Sequence, residues 1–242
     1  MIDLVEHLRN YQGMTDGSNH ILKQFEADLQ KLKTDVLTMG SHAQENLRNA
    51  VNGLINRDVE LCNRAIVDDE DVDRLEIQVD REGMMIIAKY SPVARDLRRV
   101  VSTMKVSQNL ERLSDQASNI AKRARKIAAN AEIPETIALQ PLFELVAGAV
   151  RDSLEAFSRG DVKTALTFDE RDEEIDSIYK DISKKITKRL EQDTTHTKDY
   201  VDLLFIVRFL ERIGDYAVNI AEDAVYSESA VDIRHGGTHP KV

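Results

Sequence analysis

The chain has 242 residues, with 33 Lys and Arg against 43 Asp and Glu, for a formal charge of −10 at neutral pH. At 42% hydrophobic and 31% charged residues it is too apolar for a disordered chain, and 10 Gly and 4 Pro are too few for the many turns of a β-sandwich or Rossmann-like sheet. The negative balance excludes a general role in nucleic-acid binding, and the single Cys62 supports neither a disulfide framework nor a cysteine-rich zinc site, which fits a reducing cytoplasm.

The opening Met1 to His7 is interrupted by Asp3 and Glu6 where a secretory leader is basic and then apolar. No apolar run approaches the roughly 20 residues of a membrane span, so a cytoplasmic protein is expected, reaching a membrane only through partners. Residues 1–18 show no periodicity and are expected to form a flexible extension.

From Phe25 the apolar positions Leu29, Leu32, Val36, Met39, Ala43, Leu47, Ala50 and Leu54 step by three and four, which predicts a long helix from about Asn19 to Asn56. Asp58 is placed to cap a second helix, with Leu61, Ala65, Val72, Leu75, Val79 and Ile86 on its buried stripe and an end near Tyr90. After Pro92, the steps from Val106 through Leu110, Leu113, Ala117, Ile120, Ala124 and Ile127 give the most regular helix of the chain. The pattern breaks between Asn130 and Pro134. Three more helical segments follow, at about 141–158, 161–191 and 197–226, separated by Gly160 and the polar stretch 192–198. A tail from Asp232, with Gly236, Gly237 and Pro240, carries no pattern.

The halves repeat. Glu111-Arg112-Leu113-Ser114-Asp115 through Ala121 aligns with Glu211-Arg212-Ile213-Gly214-Asp215 through Ala221 at an offset of 100 residues, and Asp58, Asp69 and Asp73 align with Asp161, Asp172 and Asp176 at an offset of 103. The expected fold is all-α: two tandem homologous three-helix bundles with six long helices, the first over residues 19–130 and the second over 134–231, followed by a 232–242 tail.

Four pairs of acids share the i, i+4 spacing that sets both side chains on one helical face: Asp69 with Asp73, Glu111 with Asp115, Asp172 with Asp176, and Glu211 with Asp215. Each pair costs roughly 0.2–0.5 kcal/mol in repulsion. Singly, such a pair is ordinarily a solvated acidic face. Recurrence at equivalent positions in both halves points instead to a bound cation, with Asn119 and Asn219 one turn further on as second-tier candidates. An all-oxygen set favours Mg, Mn, Ca or iron over a tetrahedral zinc site. No His lies within four positions of these acids, so the Glu-x-x-His pattern of ferritin-like di-iron enzymes is missing. On a helical wheel Glu111, Asp115 and Asn119 oppose the apolar stripe, which predicts acids on the outside of the bundle.

Other features are less specific. Arg95, Arg98 and Arg99, like the later Lys122, Arg123, Arg125 and Lys126, are candidates for docking an acidic partner or phosphate, although cations near helix ends ordinarily only complement the dipole. Cys62 falls among stripe residues, as a small core residue would. His196 and His235 have no visible catalytic partner, and no P-loop, dinucleotide fingerprint or nucleophile elbow is present.

The duplicated Glu-Arg-Leu-Ser-Asp and Glu-Arg-Ile-Gly-Asp segments, together with His20-Ile21-Leu22-Lys23-Gln24-Phe25, Met39-Gly40, Ile87-Ala88-Lys89 and Pro92-Val93-Ala94-Arg95-Asp96-Leu97-Arg98, resemble the PhoU family of phosphate-uptake regulators. The resemblance implies two three-helix bundles, each with a metal ion or small cluster on Glu/Asp-x-x-x-Asp motifs. Carried over by position, the metal ligands are Asp69, Asp73, Glu111, Asp115, Asp172, Asp176, Glu211 and Asp215, and the metal is a divalent or ferric ion of Fe, Mn, Mg or Zn. It further implies a non-enzymatic cytoplasmic adaptor, often a homodimer, that contributes to phosphate homeostasis and negatively regulates the phosphate-starvation regulon. Its expected partners are the ATPase of the phosphate-specific ABC transporter and the sensor histidine kinase of that regulon. The rival classes are a carboxylate-bridged metalloenzyme and a purely structural helical scaffold. Residues 1–18 have no counterpart in the family pattern.

Overall fold

The computed structural model describes the backbone of residues 2–130 and 132–233, with side chains from residue 21 onward. Among these described residues eight α-helices follow one another: α1 (Ile2–Ile55), α2 (Val59–Val67), α3 (Asp69–Tyr90), α4 (Ala94–Ala128), α5 (Gln140–Arg159), α6 (Val162–Ala165), α7 (Phe168–Gln192) and α8 (Thr197–Ser229), with a 3-10 turn at Pro134–Leu139 before α5. No strand occurs among the described residues. The α2–α3 and α6–α7 pairs each occupy the place of one long helix broken near its start, so each half is a three-helix bundle and the chain holds six long helical rods.

Local chemistry explains the matching breaks. Asp58 accepts hydrogen bonds from the backbone N–H of Glu60 and Leu61, and Asp161, 103 residues later, does the same for Lys163 and Thr164. Each aspartate satisfies two of the donors that a helix start leaves unpaired. The first rod of each half also closes in the left-handed region: α1 is followed by Arg57 at φ 55° and α5 by Gly160 at φ 66°.

Every stripe residue predicted for α1 from Phe25 to Leu54 and for α4 from Val106 to Ile127 is buried. On α2–α3, Ala65, Val72, Val79 and Ile86 are buried while Leu61 and Leu75 are half-buried at the edge. α1 runs antiparallel to α3: the Tyr90 hydroxyl donates to Asp28 at 2.6 Å, Lys31 pairs with Glu82, and Gln78 donates to Asp35 at 3.2 Å. Burial of each large side chain contributes roughly 1.5–3 kcal/mol, so the stripes carry most of the favourable energy. Cys62 is buried against Gly53, where an added Cβ would lie 2.5 Å from its sulfur, and its thiol is pushed up to about 11 by burial, as suits a core residue.

The two bundles join along α4 and α8, which are antiparallel. Lys105 lies 3.8 Å from Asp223 near one end, and Arg123 pairs with Asp202 near the other. α1 and α5 meet behind them, where Gly40 admits Leu154 so closely that a Cβ would sit 2.8 Å from its methyl carbon. The connection between the halves is held rather than loose: Arg57 donates to the carbonyls of Ala128 and Asn130, and the Asn130 amide donates to buried Asp199 at 2.6 Å.

One expectation changes. The backbone of α1 is already helical at Ile2, well before the Asn19 start expected after a flexible 1–18 extension; that segment contains no proline, and lengthening an existing helix costs little compared with nucleating one. His196 has a local acidic neighbour, its Nδ1 lying 3.5 Å from Asp199 one turn on at the start of α8. His235 and the tail from residue 234 lie outside the described residues.

Candidate metal centre

In the first half, α3 supplies Asp69 and Asp73 and α4 supplies Glu111 and Asp115. The helices pack so that these acids share the groove between them. Asp69 accepts a hydrogen bond from the Ser114 hydroxyl at 2.6 Å, and Ser114 accepts one from the buried Asn46 of α1 at 2.9 Å. Burial pushes the Asp69 carboxyl above its ordinary range despite the pull of Ser114, and the charges of Asp73 and Asp115 push it further. Glu111 is raised by burial and then by Asp115, Asp73 and Glu76. Among the described residues no Lys or Arg forms an ion pair with these four acids.

The second half repeats the arrangement with different neighbours. Asp172 is raised by burial and by Asp215 and Asp176. Glu211 is raised by burial and Asp215, against an opposing pull from Arg208, and Asp215 is raised by burial, again opposed by Arg208. Two cations moderate this cluster: Lys180 pairs with Asp176 at 2.9 Å and Arg208 pairs with Glu211. Position 214 is Gly where the first half has Ser114, because Ile175 fills the space: a Cβ there would lie 2.9 Å from its terminal methyl.

The acids are less exposed than the helical wheel predicts. Glu211 is buried, Asp69, Glu111, Asp172 and Asp176 are half-buried, and Asp73, Asp115 and Asp215 are exposed. A wheel drawn for one apolar stripe misses that α4 packs against α1, both α2 and α3, and α8 together. Asn119 and Asn219 are half-buried one turn further on. Sequence reasoning passed over Glu76, whose charge reaches Glu111 and which stands three residues after Asp73, and it passed over Asn46, Ser114, Lys180 and Arg208.

The donor set suits a hard cation. Carboxylates from two helices crowd one groove, and Glu211 Oε2 is enclosed without any hydrogen-bond partner, a costly state for a carboxylate oxygen unless a cation meets it. No three Asp, Glu, His or Cys side chains among the described residues converge on one point at ligand distance, so completing a coordination shell requires side chains to turn toward the ion.

The arginine cluster at the start of α4 is engaged within the chain. Arg95 pairs with Glu228 at 2.7 Å, tying α4 to the end of α8, and Arg99 lies 3.7 Å from Glu26 of α1 and 3.9 Å from Asp96. Arg98 is half-buried and its Nε is enclosed without a partner. Reversing all three charges would therefore disturb the packing of α4 on α1 and α8 as well as any partner surface.

Fold and site together define a tandem-repeat helical-bundle protein with one carboxylate cluster on each repeat. A PhoU domain model matches residues 36–124 and again residues 139–224, one copy per bundle, and the chain belongs to the PhoU family. It is 34% identical over 209 residues to the phosphate-specific transport system accessory protein PhoU homolog of Xylella fastidiosa, covering 86% of this chain and 87% of that one. To the accessory protein PhoU of Escherichia coli K12 it is 32% identical over 220 residues, covering 91% of each. The crystal structure of PhoU from Pseudomonas aeruginosa matches with a TM-score of 0.82 at 31% identity over 84% of this chain and 98% of that one. The phosphate transport system regulatory protein PhoU from Streptococcus pneumoniae matches with a TM-score of 0.79 at 28% identity, over 86% and 99%.

Proposed function

We propose that this chain is a non-enzymatic accessory protein of a phosphate-specific transport system, acting as a negative regulator of the phosphate-starvation response and so contributing to phosphate homeostasis. The observation that carries the reading is the paired carboxylate cluster, repeated on both bundles of a chain similar to PhoU accessory proteins over nearly its whole length. The partners on this reading are the transporter's ATPase and the sensor histidine kinase of the regulon, with a homodimer as the working assembly. No described helix is long and apolar enough to cross a membrane, so contact with the transport system would run through protein surfaces.

Asp69, Asp73, Glu111 and Asp115 would hold metal on the first bundle, and Asp172, Asp176, Glu211 and Asp215 on the second. Bound there, a divalent or ferric ion supplies charge neutralisation. Ser114 orients Asp69, Asn46 fixes Ser114, and the two acid-bearing helices of each bundle are held at one spacing. A rigid helical face is what docking to alternate partners requires, and a coupling of about 1–3 kcal/mol between two such contacts is enough to shift which is occupied.

Deleting the gene and measuring alkaline phosphatase in phosphate-replete cells tests the reading. Expression despite ample phosphate is expected; continued silence overturns the regulatory role.

A further inference from the structure

The arginines at the start of α4 do not have the explanation usual for cations at helix ends. Arg95, Arg98 and Arg99 occupy the first two turns of α4, where the helix dipole is positive and disfavours cations, whereas Arg125 and Lys126 lie in the last turn and complement it. Val93, at the N-cap, offers no side-chain acceptor to the first N–H groups. The acids that answer this end are Asp96 within the first turn and, from neighbouring helices, Glu228 beside Arg95 and Glu26 beside Arg99.

A fourth cation joins them from another helix. Lys33 of α1 and Arg99 of α4 line a small cavity where α1, α4, α5 and α8 meet, together with the hydroxyls of Thr103 and Ser227, the ring of Phe157 and the carboxylate-bearing Glu228. Thr103, Ser227 and Phe157 are buried, and Lys33 and Arg99 are half-buried. The Lys33 ammonium donates to the Ser158 carbonyl at 2.7 Å and lies 5.6 Å from the centre of the Phe157 ring. Burial and the nearby Arg99 charge lower its proton affinity, while Glu228 acts in the opposite direction. The cavity encloses about 20 Å³, room for one water-sized group while Glu228 stays in place.

We propose that this cavity is a binding site for a small tetrahedral oxyanion, inorganic phosphate in the first instance, and that the Glu228 carboxylate is its internal stand-in. Lys33 and Arg99 in the lining, with Arg95 just outside it on Glu228, provide the charge-assisted donors that such an anion takes, and Ser227 provides a neutral hydroxyl, the Thr103 hydroxyl being donated to the Arg99 carbonyl at 2.7 Å. An arriving oxyanion takes the place of the Glu228 carboxylate beside these cations, which also gives it the space that the cavity lacks. The site lies where α1 and α4 of one bundle meet α5 and α8 of the other, and shares no residue with the carboxylate clusters, so occupancy would bias how α8 and α5 sit on α1 and α4. The proposal does not depend on the metal centres. If the site reports phosphate to the transport system it deepens the regulatory reading, which the gene deletion tests separately.

Calorimetric titration of the full-length, metal-stripped chain with inorganic phosphate at low ionic strength tests the proposal, with sulfate and chloride as comparison anions. Stripping the metal prevents phosphate from binding through it. Saturable phosphate binding is expected, weakened by roughly tenfold or more in Lys33→Met and in Arg99→Gln, and strengthened in Glu228→Gln because the competing carboxylate is gone. Sulfate binding at the same site, with the same response to the variants, supports an oxyanion site; sulfate without phosphate binding overturns it. Absence of binding up to millimolar phosphate, an equal response to chloride, or phosphate affinity unchanged in Lys33→Met and Arg99→Gln at unaltered helical content would overturn it. Unchanged affinity in Glu228→Gln would overturn the stand-in role. That last variant keeps every cation in place, so a folding defect in the first two would not leave the proposal without a test.

Discussion

Ser114 donates its hydroxyl proton to Asp69 across 2.6 Å, and it is committed to doing so because the Asn46 amide already donates to the same oxygen at 2.9 Å. The result is a buried chain of hydrogen bonds from α1 through α4 to an acid of α3, which keeps one Asp69 oxygen an acceptor. Ser114→Ala should leave the Asn46 donor unpaired at a cost of about 1–3 kcal/mol and free Asp69 to rotate, weakening metal binding by roughly 10- to 100-fold at the first centre only. Urea denaturation and manganese titration of the variant check both parts; intact affinity would show that Asp69 is not oriented through this chain.

Asp28 sets an acid limit on stability. The Tyr90 hydroxyl, followed by Gln24 and Lys89, outweighs burial and holds the Asp28 carboxyl below the ordinary carboxylate range. A depressed folded-state value means that stabilisation is complete above the unfolded value and is lost as pH falls through the folded one. Asp28→Asn should therefore be less stable than the parent at neutral pH, by about 1 kcal/mol, and the gap should close toward about pH 3 or below. Parallel urea curves at the two pH values read this directly; a gap that widens in acid contradicts it.

Gly214 is the second-half equivalent of Ser114, yet Ile175 lies where its side chain would be. Gly214→Ala should cost about 1–3 kcal/mol by overpacking, and Gly214→Ser should not recreate the first-half hydrogen-bond chain. Thermal melts with unchanged helical content at low temperature test this. A neutral Gly214→Ser that tightens metal binding would mean that the two grooves are interchangeable.

The seam between bundles has its own anchor. Arg123 pairs with Asp202 while its guanidinium stacks 3.9 Å from the centre of the half-exposed Phe205 ring. Arg123→Ala should lower stability by about 1–2 kcal/mol, more than a surface ion pair alone contributes, through loss of the stacked contact. Asp202→Asn should cost less. Equal losses would show that the ion pair, not the stack, holds the seam.

What the sequence revealed follows from which interactions are periodic or local. The α1 and α4 stripes, the Asp58 and Asp161 caps and the duplication of the acid pairs are visible because each depends on residues within a turn or two, or on a repeat offset. The position of Lys180 and Arg208 against the second cluster is hidden, although both lie within four residues of their partners, because a helix crowded with charges offers each cation several acids and spacing alone does not select one. Glu111 and Asn119 are expected outside the bundle and are half-buried, since a one-stripe wheel cannot register that α4 is packed on α1, on the α2–α3 rod and on α8. The joining of Lys33 to Arg99 was illegible for a stronger reason: they stand on different helices, and only the tertiary fold brings them to one cavity.

The central claim is that each bundle holds metal through its own carboxylates, and elemental analysis of gently purified protein tests it most directly. The parent chain should carry a divalent or ferric ion. Paired replacement of Glu111 and Asp115 by Ala should remove about half of it, as should paired replacement of Glu211 and Asp215, and combining the four should remove nearly all. A parent protein that carries none, even after reconstitution with Mg, Mn, Fe and Zn, would contradict the claim, and so would a metal content indifferent to all four acids.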